Sequence, residues 1–412
     1  MAASNKAKYN LNETGEFIIT DYNSSKLFSS FFPGVAGKLG IPMWLFYVNR
    51  GQCVCSMGIE GKDKPIMEFL PANRAYQLTS SQGFRTFIKP LSHDSIKYYE
   101  PFQNNYFTKD IEREQKMIIA PARLTLEEKN YTLGLKFSVD YFNVTQDKYA
   151  GLVRILRIQN LNEDAFELEG MDGLPLIIPY GIDNLGLKYI RRLVEAFVEV
   201  SNYETGIPFF RGKVEPADRP EVVHIKKGNF YIGFDDDEKL VSPIVDPVKV
   251  FGSQSDYNYP ERFLTDSYEE MYEGQILENR LPCALGHFKA SIPAGGTYTY
   301  TSIIGHASSI EELNELVPVI SNHKYAETKQ TANKDLIDEL TQKNFICSNE
   351  SVLNMYSKQN FLDNILRGGF PHTLNGNGSK IILHLYSRKH GDLERDYNDY
   401  RLNPTHYSQG NG

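Results

Sequence analysis

Short runs that alternate apolar and polar residues, or are wholly apolar, recur along most of this chain with turn residues between them. They include EFIIT (Glu16–Thr20), MWLFYV (Met43–Val48), IMEFLPANRAYQL, FRTFIKP, MIIAPARLTLEEKNYTLGLKFSVDYFNV and LVRILRIQNL, reaching to about residue 180. A period of two places successive side chains on opposite faces of a strand. Strands this numerous, with no helices to carry parallel crossovers, predict a mainly β protein built as a large antiparallel sandwich. Glu127–Asn130, between two such runs, is the expected hairpin tip. The aromatic residues point the same way, because 26 Tyr and 24 Phe stand beside the single Trp44, and Tyr and Phe favour strands.

The pattern resumes further on in VVHIK, a turn at Lys227–Asn229, FYIGF, and CALGHFKASI with YTYTSIIGH around Pro293–Gly296. One helix is expected to interrupt it. Ile190, Leu193, Val194, Phe197 and Val198 fall on one face of a helix over about 187–201, suited to packing on a sheet. At Ser308 the period changes to helical. Ser308–Glu311 reads as a capping box opening a helix that Pro318 ends. A second helix is expected to end near Phe345, with Leu336, Ile337 and Leu340 as its apolar stripe. A third is expected from an N-cap at Ser348 to Arg367, before Gly368 and Gly369. The expected organisation is a β-sandwich over 1–306, a helical linker over 307–346, and the start of a helical region over 347–412.

Charge and composition exclude several classes. A net charge of −8 opposes nucleic acid or an anionic membrane as partner, since both need a basic face. The N-terminus has no apolar core of a signal peptide, and no apolar run is long enough for a membrane helix. Cytoplasmic localisation is the expectation. Four cysteines in 412 residues make no disulfide scaffold. Cys53 and Cys55 alternate along an expected strand and should share one face, as buried thiols rather than ligands. Gly34, Gly37 and Gly40 resemble a phosphate loop, but Lys38 is followed by Leu39 and the spacing fails, so turns are expected. Asp235–Glu238 lacks the alternating ligands of a calcium loop and reads as a solvated turn. No serine-hydrolase elbow, zinc-protease motif, dinucleotide fingerprint or C-x-x-C pair occurs, and the 9 histidines show no metal spacing. A serine hydrolase, a zinc cofactor and a dinucleotide cofactor are therefore not expected.

What remains is concentrated in Tyr386–Gly412, YSRKHGDLERDYNDYRLNPTHYSQGNG. Its tyrosines offer stacking faces, and its arginines, carboxylates and amides offer directional hydrogen bonds, a vocabulary suited to sugar hydroxyls. From composition alone it also reads as a loop between two helices holding its own ion pairs, or as a solvated tail, against which its four tyrosines count.

Four stretches carry a family resemblance: Ser29–Gln52 (SSFFPGVAGKLGIPMWLFYVNRGQ), Gly83–Lys89 (GFRTFIK), Asn360–Pro371 (NFLDNILRGGFP) and Ser387–Gly412. They resemble the N-terminal part of β-1,2-oligoglucan phosphorylases, in the cellobiose phosphorylase group of inverting glycoside phosphorylases. The resemblance implies a galactose mutarotase-like supersandwich, a helical linker, an (α/α) six-fold barrel holding the active site and a C-terminal β domain. This chain would supply the sandwich, the linker and only the opening of the barrel. The implied reaction is phosphorolysis of β-1,2-glucan oligosaccharides by inorganic phosphate, releasing α-glucose 1-phosphate. One carboxylic acid protonates the glycosidic oxygen, and phosphate replaces the base-activated water of an inverting hydrolase.

The resemblance places the general acid beyond Gly412, so enzymatic activity of this chain alone is left open. Arg388, His390, Asp392, Arg395, Asp396, Gln409 and Asn411 would line the substrate pocket. The implied partners are a β-linked glucooligosaccharide, inorganic phosphate, and a C-terminal catalytic half in cis or in trans. The alternative of a different class is a stand-alone carbohydrate-binding sandwich without catalysis.

Overall fold

Alternation becomes antiparallel pairing throughout. The computed structural model describes residues 8–384, apart from 33–42, 61–62, 216–219, 343–346, 369–370 and 377–378. A ten-stranded sheet runs Tyr9–Leu11, Phe17–Thr20, Arg113–Ala120, Arg123–Asn130, Leu135–Asn143, Ala150–Asn160, Thr297–Ala307, Gly228–Phe234, Phe209–Gly212 and Val198–Ser201. A four-stranded sheet runs Pro243–Ile244, Ala284–Ile292, Phe166–Leu174 and Arg85–Pro90. A second four-stranded sheet orders Ser29–Phe32, Met43–Val48, Val54–Ile59 and Pro65–Met67 in sequence. The protein is mainly β.

The period of two explains how these sheets close on each other. In Leu135–Asn143, Leu135, Phe137, Val139 and Tyr141 are fully buried while Lys136 and Ser138 between them are half-exposed. The buried faces merge into one core. It joins Leu126, Phe137 and Leu156 of the large sheet to Ile88, Leu168 and Phe288 of the second and Leu45 of the third. Each such side chain contributes about 1.5–3 kcal/mol on removal from water.

The outer face of the large sheet is split along the strands. One cross-strand row is polar, Lys116, Glu127, Ser138, Arg157 and Thr299. Two same-face steps further, the row becomes Phe142, Val153, Ile303 and Ile232. Helix Ile310–Ile320 covers this apolar half with Leu313, Val317 and Ile320. Helix His323–Gln342 then crosses the strand ends on a polar face repeating every four residues. Tyr325 donates to Asp147 at 2.9 Å and pairs with the Tyr149 hydroxyl at 2.6 Å. Lys329 reaches Asp147 at 2.9 Å, and Asn333 donates to the Ala122 carbonyl at 2.9 Å. Its last turns bury Leu336, Ile337 and Leu340 against Leu362 of helix Ser351–Gly368.

Several local expectations are corrected. The insert is two short helices, Asn184–Tyr189 and Arg191–Glu195, broken at Ile190 and followed by strand Val198–Ser201. The strand forms because Val198–Ser201 pairs with Phe209–Gly212 and fills the sheet edge. Val194 and Val198 are buried, but Ile190 and Leu193 are exposed, so the helical apolar face does not pack as one. Residues Ala72–Gln82, read as β, are a helix that turns Ala75 and Thr79 inward.

Glu127–Asn130 is not a hairpin tip, because strand Arg123–Asn130 runs through it. The turn falls at Tyr131–Gly134, where Gly134 takes the left-handed conformation at φ 66°. Lys227–Asn229 is no turn either, since strand Gly228–Phe234 begins there. Cys53 lies before strand Val54–Ile59 at φ 70°. That left-handed residue rotates the chain, so Cys53 enters the main core while Cys55 packs with Phe46, Val48 and Leu70. The cap of the first linker helix is Ser309, whose Oγ accepts from Glu312 N, and Pro318 is carried inside the last turn. Helix Ser351–Gly368 begins three residues after Ser348.

Candidate functional site

Arg388, His390, Asp392, Arg395, Asp396, Gln409 and Asn411 lie outside the described residues, as do Gly34, Gly37 and Gly40. The site is therefore built from the sandwich.

Two of the resemblance-bearing stretches meet inside it. Gln52 Nε2, from the first, donates to Thr86 Oγ1, from the second, at 3.0 Å. Thr86 donates to Asp172 Oδ1 at 2.6 Å. Arg154 closes the group, its Nε donating to Asp172 Oδ2 at 2.9 Å and its Nη2 to Asp172 Oδ1 and Gln52 Oε1 at 2.6 Å each. Its Nη1 donates to the Tyr141 hydroxyl at 2.6 Å. Arg154 and Asp172 are both 0% exposed. Burial alone would lower the Arg154 pKa, and the Asp172 carboxylate beside it instead holds it above the ordinary guanidinium range. A bidentate pair with its remaining donors filled is the arrangement that tolerates such burial.

Asn49, Arg50 and Gly51, just before Gln52 in the first stretch, are held by hydrogen bonds to Tyr22–Lys26. Gly51 takes φ 53°, its N–H donates to Asn23 Oδ1, and its carbonyl accepts from the Tyr22 hydroxyl. Arg50 and Asn49 donate to carbonyls of Tyr22, Ser25 and Lys26. This centre is sealed from solvent. It organises the sandwich and cannot meet a substrate.

Arg85, next to Thr86, carries this organisation outward. Its Nε and Nη2 grip Glu100 at 2.5 and 2.7 Å in a second buried bidentate pair. Its Nη1 donates to the carbonyl of Tyr257, and its Nη2 to that of Asn258 at 3.3 Å. Tyr257 has φ 60°, a conformation that costs a non-glycine residue energy and persists only where its surroundings impose it. The guanidinium supplies that constraint.

The held loop forms one wall of a cleft of about 260 Å³, lined by Arg191, Glu195, Val248, Gln254, Tyr257 and Arg280 among others. Arg191 Nε donates to Glu195 at 2.9 Å, and Arg280 Nη1 to Asp246 at 2.6 Å. Asp246 is fixed in turn by the backbone N–H of Val248 and Ile276. Burial raises the Tyr257 pKa, with Arg191 and Arg280 pulling it down and Glu195 pushing it up. Those couplings place the phenol among the ion pairs, and its hydroxyl makes no hydrogen bond to another described residue. Both carboxylates accept from arginines. The arrangement presents hydrogen-bond donors and acceptors to a ligand. Sequence reasoning selected none of these residues. The available signal was SQSDYNYP after Gly252, a polar, tyrosine-bearing loop behind a glycine at φ 60°.

Among the described residues there is no cluster of side chains that could hold a metal ion, and no helix is long and apolar enough to cross a membrane. No family model and no curated protein matches the chain. Among solved structures, the chain is similar to a protein described as a kojibiose phosphorylase from the human microbiome, at 9% identity and a TM-score of 0.29. That match covers 70% of this chain and 28% of the other, so the chain spans under a third of that protein's length. It is also similar to the Slr1438 protein from Synechocystis sp. PCC 6803, at 10% identity and a TM-score of 0.34, covering 65% of this chain and 93% of that one. Likenesses at these scores carry no argument about activity.

Proposed function

We propose that this chain supplies the sandwich and linker of an inverting glycoside phosphorylase that acts on β-1,2-glucan oligosaccharides with inorganic phosphate. The observation that carries the proposal is the contact between Gln52 and Thr86 at 3.0 Å. Two stretches that resemble these phosphorylases, distant in sequence, converge on one buried polar centre. The resembling residues are thus ones on which this sandwich depends. The order of elements, with sheets followed by two helices on the large sheet and a third packed against the second of them, agrees with the same reading. In this proposal the general acid and the phosphate-binding groups come from residues outside the chain, and the sandwich is not catalytic.

The test is incubation of the 412-residue chain with β-1,2-glucotriose and phosphate. No glucose 1-phosphate is expected from the chain alone. Turnover by it would overturn the assignment of catalysis elsewhere.

A further inference from the structure

We propose that the cleft between the insert helices and the loop at Gln254–Tyr257 is a binding site for a neutral carbohydrate. The choice of glucan as its ligand rests on the functional reading above.

The argument begins with charge. The two arginines of the cleft are each neutralised, Arg191 by Glu195 at 2.9 Å and Arg280 by Asp246 at 2.6 Å. A phosphate or sugar phosphate needs an excess of donors and positive charge. A neutral polyol needs donors and acceptors side by side, because each hydroxyl both gives and takes a hydrogen bond. The Arg191–Glu195 pair offers that alternation on the cleft wall, and Arg280 adds donors whose charge the buried Asp246 balances. Gln254, exposed on the loop, adds an amide with both functions.

Shape and surface follow. Val248, Leu281 and the Tyr257 ring supply apolar surface on the walls, the complement of the C–H face of a pyranose. The volume of about 260 Å³ suits a sugar residue or two rather than a long chain. The Tyr257 hydroxyl, raised in pKa by burial, has no partner among the described residues and would donate to a ligand oxygen.

Preorganisation is the second, independent line. The loop is held at a left-handed Tyr257 by a buried guanidinium that is itself locked to Glu100. A surface turn with no further role gains nothing from being fixed at that cost. A binding wall does, because a loop fixed beforehand loses less entropy when ligand arrives.

The experiment is saturation-transfer NMR on the full chain with β-1,2-glucotriose, with cellotriose as a second neutral probe and inorganic phosphate as competitor. Transfer to a trisaccharide is expected, undisturbed by phosphate. Arg191→Gln and Gln254→Ala should each weaken it by about tenfold, the loss of one charge-assisted or well-placed hydrogen bond. Melting temperature should be unchanged, since both side chains are on the surface. Lys136→Gln, on the distant polar face of the large sheet, should bind as the parent chain does. Absence of transfer, displacement of the sugar by phosphate, or full retention in both cleft variants would overturn the site. Transfer to cellotriose alone, lost in the variants, would keep the cleft and count against the β-1,2-glucan reading, so the two claims fail separately.

Discussion

Replacing Asp172 by leucine strands the Arg154 guanidinium inside the sandwich. The arginine keeps Gln52 and the Tyr141 hydroxyl at 2.6 Å and Thr86 at 3.0 Å, but loses both carboxylate oxygens. With both partners at 0% exposure, water cannot replace them. Removing one member of a buried pair costs about 3–5 kcal/mol, mostly the penalty for the charge left behind. Arg154→Met should cost a similar amount, because Asp172 is then left with Thr86 at 2.6 Å as its side-chain donor. The double variant buries no charge, and such replacements are often close to neutral. Its cost should therefore fall at least about 2 kcal/mol short of the sum of the singles. Urea titration followed by the fluorescence of Trp44, the single tryptophan and only 5% exposed, reads all four proteins. Single variants costing under about 1 kcal/mol, or a double variant that is simply additive, would refute the claim that this pair organises the core.

His306 is buried against the Tyr180 ring at 4.6 Å. Burial, reinforced by Lys227 and Lys64, holds its pKa at about 3 against an ordinary 6.5. Between those values the unfolded chain binds a proton that the native state refuses, so His306 makes the fold less stable as pH falls through that window. His306→Phe keeps the ring contact and should flatten the stability profile by up to about 1.4 kcal/mol per pH unit there; parallel profiles for the two proteins would contradict it. Cys53, Cys55 and Cys283 are buried and Cys347 is exposed, and burial pushes the Cys55 thiol up to about 12. A thiol reagent should label Cys347 alone in the native protein and the other three only on unfolding. Tyr325→Phe removes hydrogen bonds to Asp147 and Tyr149 and should cost about 1–2 kcal/mol. Amide exchange should speed up along His323–Gln342 while strand Leu135–Asn143 keeps its protection.

The sandwich was legible because a two-residue period reports directly which face of a strand is buried, as in Leu135, Phe137, Val139 and Tyr141. The Tyr131–Gly134 turn was missed although its glycine was visible, since the charged Glu127, Glu128 and Lys129 looked solvated. Glu128 is instead wholly buried, bonded to Tyr99, Gln115 and the Phe102 N–H. The insert failed for a different reason. A pattern with Ile190, Leu193, Val194 and Val198 fits a helix, and only pairing with the distant Phe209–Gly212 makes its end a strand.

The polar centre left no periodic trace at all. Its partners stand between 13 and 102 positions apart, and no local pattern records contacts of that range. The same holds for Arg85 and the carbonyl of Tyr257, 172 positions away. The resemblance did mark Gln52, Arg85 and Thr86 as part of its stretches, without indicating what they hold together.

The most direct measurement is phosphorolysis by this chain joined, in cis or in trans, to the catalytic half that the proposal assigns to it, with β-1,2-glucotriose and inorganic phosphate, the anomeric form of the product being read by proton NMR. The account predicts release of α-glucose 1-phosphate, the product of inversion at a β linkage. Release of the β anomer, or no phosphorolysis of β-1,2-linked glucan by a folded protein, would contradict it.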